Sequence, residues 1–99
     1  GIMFVTFLTF TERREDAPRF MAEHNAWIAQ GFADGVFLCV GSLYDGAGGA
    51  IVSIEASHAS HETRLKADPF VVHGIVTVET RAFDVKRAIP ALDHLKALA

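Results

Sequence analysis

Asp68 combines a residue type and a position that suit chemistry, because it stands directly before Pro69. A proline disfavours helical backbone in the residue that precedes it, so the helix before Asp68 is predicted to end near Ala67. The Asp68 carboxylate is then free to reach a neighbouring element. A structural role is also open, in which Asp68 caps a short helical turn that begins at Pro69 and is closed by Gly74.

His24 is the second candidate, and the helix that carries it decides its environment. One helix is predicted over residues 17–34, between an N-cap at Asp16 and a glycine stop signal after Asp34. Helical spacing places His24 in the middle of the apolar stripe of this helix, whose other members are Phe20, Trp27, Ile28 and Gly31. Its imidazole therefore points inward, either as a core histidine hydrogen-bonded to backbone or as an acid–base group near neutral pH.

The other elements follow from composition and periodicity. Strands, rich in β-branched and aromatic residues, are predicted over residues 3–10, 36–43, 50–56 and 74–85. A second helix is predicted over residues 58–66 after a cap at Ser57, and a terminal helix over residues 86–99 has leucines at every third position. This order predicts an α+β protein, a ferredoxin-like βαββαβ plait with a four-stranded antiparallel sheet and a C-terminal helix.

The first two strands are apolar on both of their faces. In the first strand Met3, Val5 and Phe7 alternate with Phe4, Leu8 and Phe10; in the second, Val36, Leu38 and Val40 alternate with Phe37, Cys39 and Leu43. Two helices can cover only one face of the sheet, so the other face needs a partner. Another copy of the same sheet is the natural cover, and we expect a homodimer that forms through the sheet faces.

Composition narrows the class of protein. The 99 residues are 51% hydrophobic and 21% charged, which predicts a single domain over residues 1–99 with enough apolar material for a core. The formal charge of −3 and the absence of long Lys/Arg runs argue against nucleic acid or an anionic membrane as partner. No apolar run approaches the length of a membrane span. Cys39, the one cysteine, is expected to be a small core hydrophobe, which favours a cytoplasmic location.

Several short pieces of the chain follow one another in a recognisable order. They are His24-Asn25-Ala26-Trp27-Ile28, an apolar strand between Gly35 and Gly41, Gly48-Gly49 before the next strand, and Ala67-Asp68-Pro69-Phe70 with Gly74. Together they resemble the YciI-related family of small bacterial proteins over residues 3–85. The resemblance implies a dimeric α+β barrel, built by packing sheet on sheet. One departure is that Gly41 is followed by Ser42, where the family commonly has Gly-Pro, which changes one wall of the pocket.

The candidate site combines the resemblance with the chemistry of the residues. The resemblance makes His24 and Asp68 the catalytic pair. A carboxylate that accepts a hydrogen bond from one imidazole nitrogen fixes the tautomer and makes the other nitrogen a better general base. The predicted substrate-binding residues are Trp27, Ser42, Phe70 and His73. No serine or cysteine lies in a recognisable nucleophile motif, so covalent catalysis is not predicted.

Two other motifs favour structural interpretations. His58, His61 and Glu62 lie on one side of the predicted second helix and could hold a metal ion, but nothing supplies the remaining ligands. A solvated helix face is therefore predicted there, and no metal or cofactor is expected. The glycine-rich residues 44–49 predict a β-hairpin rather than a phosphate cradle, because such a cradle normally opens onto a helix.

Two functions of different classes remain open. The first is an enzyme in which His24 and Asp68 transfer protons on a small cyclic or aromatic molecule, by elimination or isomerisation. The resemblance implies a lyase-type reaction, since elimination of chloride from a chlorinated hydroxyquinol is an activity of YciI-like proteins. The second is a non-catalytic domain that binds a small ligand or serves as an accessory protein. A hydrogen bond between His24 and Asp68 beside an open cavity would favour the first.

Overall fold

The structure, a computed structural model, describes residues 2–97 of the chain. One antiparallel sheet carries the helices on one of its faces, in an α+β arrangement. The elements are β1 Ile2–Phe10, α1 Ala17–Ala33, β2 Phe37–Ser42, β3 Gly48–Ile54, α2 His58–Lys66, α3 Pro69–Val72, β4 Val76–Asp84 and a terminal 3₁₀ helix Pro90–Ala97. A 3₁₀ turn, Arg14–Asp16, precedes α1.

The strand order in the sheet is β2-β3-β1-β4, and every neighbouring pair is antiparallel. This is the predicted ferredoxin-like βαββαβ plait. The central strand β1 places Phe4, Thr6 and Leu8 on the helix-covered face, where all three are buried. The core continues through the buried residues Ala17, Phe37, Ile51, Phe70, Ile75 and Val76.

Helix α1 packs against α3 and β2, and this packing carries His24 toward Asp68. A glycine at position 31 makes the approach to β2 possible, because a Cβ there would lie 2.2 Å from the Phe37 ring. The predicted helix boundaries are correct within one residue. Asp16 is the N-cap residue as predicted, but its side chain makes no cap hydrogen bond, because it ends the 3₁₀ turn and its backbone is already helical.

The two faces of β2 differ from the prediction, which placed Phe37 and Cys39 together. Phe37 pairs with Ser53 and Cys39 with Val52, so the register shifts by one residue between them. A β-bulge of this kind interrupts the alternation of side chains. Phe37 is therefore buried in the core, while Cys39 is exposed on the opposite face rather than being a core hydrophobe.

Helix α2 begins as predicted, with the Ser57 side chain accepting a hydrogen bond from the Ser60 backbone N–H. The prediction of a solvated His58–His61–Glu62 face is wrong for His61, which is buried. Its ring stacks on Phe4 at a centroid distance of 4.2 Å, so α2 reaches the sheet through an imidazole as well as through aliphatic groups.

The terminal helix is shorter and tighter than predicted. It is a 3₁₀ helix over Pro90–Ala97, residues 86–89 have no regular structure, and residues 98–99 of the predicted helix lie outside the described residues. A 3₁₀ helix has three residues per turn, so side chains three apart share one side of it. The spacing of Leu92 and Leu95 fits that geometry, and Leu95 is buried.

The sheet face opposite the helices is apolar where β1 pairs with β3, and Arg81 and Glu79 of β4 lie beside that apolar part. Directly opposed residues of antiparallel strands share a face, so Val5, Val52 and Phe7 lie together on this side. Phe7 is 39% exposed and Phe83 of β4 is 50% exposed. No helix within residues 2–97 is long and apolar enough to cross a membrane.

Candidate active site

Asp68 lies between α2 and α3, where its backbone is extended at φ −63° and ψ 123°. This is the conformation that the following proline favours. The carboxylate is fully buried, and Oδ1 accepts a hydrogen bond of 3.0 Å from the backbone N–H of Phe70. Gly74 has φ +68° and ends the turn that follows α3. Asp68 is therefore the N-cap of α3, as the sequence indicated.

The same oxygen of Asp68 also contacts His24, whose Nδ1 lies 2.7 Å from Oδ1. An ionised carboxylate can only accept hydrogen bonds, so we assign the proton to Nδ1. Nε2 is then the nitrogen free to accept a proton, and it makes no hydrogen bond to any other residue in the range 2–97. The ring stacks on Phe70 at 3.9 Å and 5° between planes, which fixes its orientation on a second side.

The other carboxylate oxygen of Asp68, Oδ2, is buried and has no hydrogen-bond partner among the described residues. Within residues 2–97, the one ionisable group that pairs with Asp68 is His24. A buried carboxylate favours a positive charge on the group it contacts. Asp68 can therefore orient the imidazole and also stabilise it when Nε2 takes up a proton.

The His24 ring forms part of the wall of a cavity of about 290 Å³ between α1 and the sheet. Most of the wall is apolar or glycine, and three polar side chains line it. They belong to His24, Asn25 and Ser42. The apolar and glycine members are Leu8, Phe10, Met21, Ile28, Val40, Gly41, Gly48, Gly49, Ala50, Ile51, Phe70 and Val76.

The six predicted site residues do not all meet at this cavity. His24, Ser42 and Phe70 line it, and Asp68 stands directly behind His24. Trp27 and His73 lie outside the wall, so their role in binding stays a prediction.

Both outlying residues have structural contacts instead. The Trp27 indole N–H donates a 3.1 Å hydrogen bond to the Arg64 carbonyl, which ties α1 to the end of α2. The exposed His73 ring stacks on Phe20 at 3.9 Å.

Sequence reasoning missed several wall residues, although part of the signal was present. Met21 and Ile28 lie three residues before and four residues after His24, so helical spacing puts them on its side of α1. Asn25 follows His24 directly. The glycines of the β2–β3 hairpin predict a turn alone, and nothing local indicates that this hairpin faces α1.

No group of three or more His, Cys, Asp or Glu side chains within the described part of the chain is arranged to hold a metal ion. His58 and His61 both contact Phe4 with their rings, and His61 is turned toward the sheet.

No protein-family model matches the chain, and no curated protein matches its sequence. Solved structures of similar fold include 5-chloro-2-hydroxyhydroquinone dehydrochlorinase from Burkholderia phenoliruptrix AC1100, in complex with 2,5-dihydroxybenzoquinone. The TM-score is 0.69 with 16% identity, over 87% of this chain and 95% of that one.

Two further structures are similar over most of their length. Rv0793 from Mycobacterium tuberculosis gives a TM-score of 0.57 with 12% identity, over 88% of this chain and 96% of that one. A Deinococcus radiodurans protein proposed to be an antibiotic biosynthesis monooxygenase gives a TM-score of 0.52 with 18% identity, over 90% of this chain and 96% of that one. At these identities the likeness establishes the fold alone, a ferredoxin-like α+β plait.

Proposed function

We propose that this protein is a YciI-related enzyme that transfers protons on a small cyclic or aromatic molecule, with His24 as the acid–base group. One observation carries the proposal: a fully buried carboxylate, Asp68, holds Nδ1 of His24 at 2.7 Å while the same imidazole lines an apolar cavity. Asp68 acts through His24 and is a positioning residue. The arrangement supplies an oriented base together with a fixed counter-charge.

The reaction type that suits this site is proton abstraction followed by elimination or isomerisation. Nε2 of His24 removes a proton from the ring substrate, and the electron pair left behind forms a new π bond. In an elimination, a halide leaves the conjugated ring with its own bonding pair, so the net loss is hydrogen halide. In an isomerisation, the imidazolium returns the proton to another atom of the ring. Asp68 stabilises the imidazolium in both cases.

The size and lining of the cavity support a single-ring substrate. Its volume of about 290 Å³ is just below the range of about 300–1,000 Å³ that is usual for small-molecule pockets. An apolar wall with few polar groups is suited to a ring, whose faces need burial and whose substituents need specific partners. The dehydrochlorinase of similar fold was solved with a dihydroxylated quinone, which supports the same class of ligand.

A turnover assay with matched histidine variants tests this proposal. Chlorinated and unchlorinated hydroquinones are first screened by thermal shift, and halide release and ring absorbance are then followed for those that bind. His24→Ala is expected to reduce turnover by roughly 10²–10⁴-fold, the range of general acid–base catalysis. His58→Ala is the matched control, because the His58 ring also contacts a phenylalanine, Phe4, but lies outside the wall of this cavity. Equal turnover in both variants would contradict the proposal.

A non-catalytic ligand-binding or accessory role is the second candidate, and one observation favours it. Oδ1 of Asp68 accepts hydrogen bonds from both His24 and Phe70, so the pair joins α1 to α3 whether or not chemistry occurs. In that case a ring compound binds and is recovered unchanged. His24→Ala then lowers the melting temperature without altering any reaction.

We also propose that residues 1–99 form one domain that pairs as a homodimer through the outer sheet face. Val5 lies at the centre of this face, opposite Val52 and Arg81 of the neighbouring strands. Val52→Asp is expected to prevent dimerisation, because its direct cross-strand neighbours, Val5 and Cys39, carry no charge and a buried unpaired carboxylate costs several kcal/mol. Thr63→Asp, on the exposed side of α2, is the control and should remain dimeric. Sedimentation of the wild-type protein as a monomer at micromolar concentration would refute the dimer.

A further inference from the structure

The polar groups of the cavity wall carry no formal charge other than the one that His24 can acquire. Asn25 contributes an amide and Ser42 a hydroxyl. Within residues 2–97, no Asp, Glu, Lys or Arg lines the cavity. Two charges contact wall residues from outside the lining: the Asp68 carboxylate behind His24, whose Oδ2 has no partner among the described residues, and the Arg14 guanidinium over the Phe10 ring.

This wall disfavours an anionic ligand for a simple reason. A carboxylate, phosphate or sulfonate that enters an apolar cavity loses its water and must find a cation or several donors in exchange. The imidazolium of His24 is already paired with Asp68, so it offers little further compensation. An uncharged ring loses less hydration and meets a mostly apolar wall.

The polar side chains are also divided between two walls. His24 and Asn25 come from α1, whereas Ser42 comes from the end of β2 in the hairpin wall. Apart from Ser42, the residues of this hairpin that line the cavity are apolar or glycine: Val40, Gly41, Gly48, Gly49, Ala50 and Ile51.

Two of those glycines cannot be replaced freely. A Cβ at Gly48, where φ is +156°, would lie 1.8 Å from the Leu8 carbonyl oxygen, and one at Gly49 would lie 3.0 Å from the Gly41 carbonyl oxygen. The hairpin wall therefore stays open, with the Ser42 hydroxyl as its polar side chain.

We infer that the cavity selects uncharged rings with two hydrogen-bonding substituents on opposite sides, one at His24 and the second at Ser42. Ser42 is the specificity-determining residue for the second substituent. Asn25 keeps the α1 wall neutral at the position where recognition of an acid would need a cation. This inference rests on the proposed function and names the substrate class of the same site.

Calorimetric titration with three single-ring compounds tests it, under anaerobic conditions that keep the diols reduced. Methylhydroquinone has two hydroxyls, 3-methylphenol lacks one of them, and 2,5-dihydroxybenzoate adds a carboxylate. The wild-type protein is expected to bind methylhydroquinone at least about tenfold more tightly than 2,5-dihydroxybenzoate, a difference of about 1.4 kcal/mol. Binding alone is measured, so no catalytic step enters the result.

Three variants assign the preference to residues. Ser42→Ala is expected to weaken methylhydroquinone binding by roughly three- to tenfold, the value of one hydrogen bond, and to leave 3-methylphenol unchanged. Asn25→Lys adds a cation to the wall and is expected to raise the affinity for 2,5-dihydroxybenzoate about tenfold relative to methylhydroquinone. Thr63→Ala removes an exposed hydroxyl from α2, outside the cavity wall, and should change neither affinity.

The outcomes separate this inference from the function that it rests on. Equal or tighter binding of 2,5-dihydroxybenzoate by the wild-type protein overturns the charge selection, and turnover that depends on His24 would still stand. An equal effect of Ser42→Ala on methylhydroquinone and 3-methylphenol overturns the role of Ser42. Failure of all three compounds to bind overturns both the inference and the ring-substrate class of the proposed function.

Discussion

Two histidines on different helices, His24 on α1 and His61 on α2, pack over the same sheet. The ring of each stacks on a phenylalanine. His24 packs on Phe70 at 3.9 Å and 5° between planes, and His61 packs on Phe4 at 4.2 Å and 8°. Their polar partners differ. His24 meets the Asp68 carboxylate, whereas Nε2 of His61 lies 3.2 Å from the Thr6 hydroxyl and 3.1 Å from that of Thr80.

The difference shows that aromatic packing positions a histidine but its polar partner decides what the ring can do. Two hydroxyls can satisfy a neutral imidazole and bring no charge to compensate a proton. Burial accordingly lowers the pKa of His61 below its ordinary value of 6.5; the charge of nearby Glu55 opposes this shift and that of His58 adds to it. Asp68 brings a negative charge to His24. His24 therefore lines its cavity with a counter-charge in direct contact, whereas His61 lines a different cavity with two hydroxyls as its direct polar partners.

Removing the polar partner of each imidazole should give the largest contrast. Asp68→Ala is expected to reduce turnover by roughly 10²-fold or more, because His24 loses its orientation and its counter-charge. The variant also loses the cap of α3, which costs about 1 kcal/mol of unfolding free energy. Thr6→Val, which removes a partner of His61, should leave turnover unchanged. Steady-state rates measure the turnover, and urea unfolding measures the unfolding free energy. A similar rate loss in Asp68→Ala and Thr6→Val would contradict the different roles of the two imidazoles.

Asp68→Asn separates the orientation of His24 from its counter-charge. The amide oxygen can still accept from Phe70 and from Nδ1 of His24, and Asn caps helices about as well as Asp, but the charge is lost. Turnover is expected to fall by about tenfold, between wild type and Asp68→Ala, if the counter-charge lowers the barrier by about 1.4 kcal/mol. Wild-type turnover in this variant would show that the charge of Asp68 is not used.

His61→Leu tests whether the second imidazole serves only the fold. The variant loses the hydrogen bonds to Thr6 and Thr80, although these two hydroxyls still lie 3.0 Å from each other. We expect an unfolding free energy lower by about 1–2 kcal/mol and no change in ligand affinity or turnover. Chemical denaturation and calorimetry measure these quantities, and reduced ligand affinity would link the His61 region to the site.

The pH dependence of stability should show the smallest effect. Because the pKa of His61 is lowered on folding from 6.5, the unfolded chain takes up a proton first as the pH falls below that value. The contribution of His61 to the unfolding free energy is complete above pH 6.5 and declines as the pH falls toward the folded-state pKa. Unfolding free energies of wild type and His61→Leu should therefore converge as the solution becomes more acidic. A constant difference across this pH range would refute the assignment.

Predictions that rest on neighbouring residues in the chain agree with the structure. The steric effect of Pro69 on the preceding residue gives Asp68 its extended backbone and its cap. The spacing along α1 places His24 on the inward side. The β-α-β-β-α-β order gives the observed plait, because a short chain has few ways to bury one face of four antiparallel strands.

What the sequence could not settle depends on contacts between distant segments. The bulge in β2 exposes Cys39, and it forms only when β2 takes its register against β3. His61 is on a helix with a weak apolar stripe, and its burial follows from the position of Phe4 on another strand.

The candidate site shows the same division. Residue types and spacing identified His24 and Asp68 separately and predicted the local backbone of each, and the resemblance to a known family predicted that they form a pair. Only the packing of α1 against α3 brought side chains 44 residues apart to 2.7 Å, beside a wall built from a third element. Local sterics and periodicity act over a few residues, whereas a cavity is the space left between elements, and that space is decided by the tertiary structure.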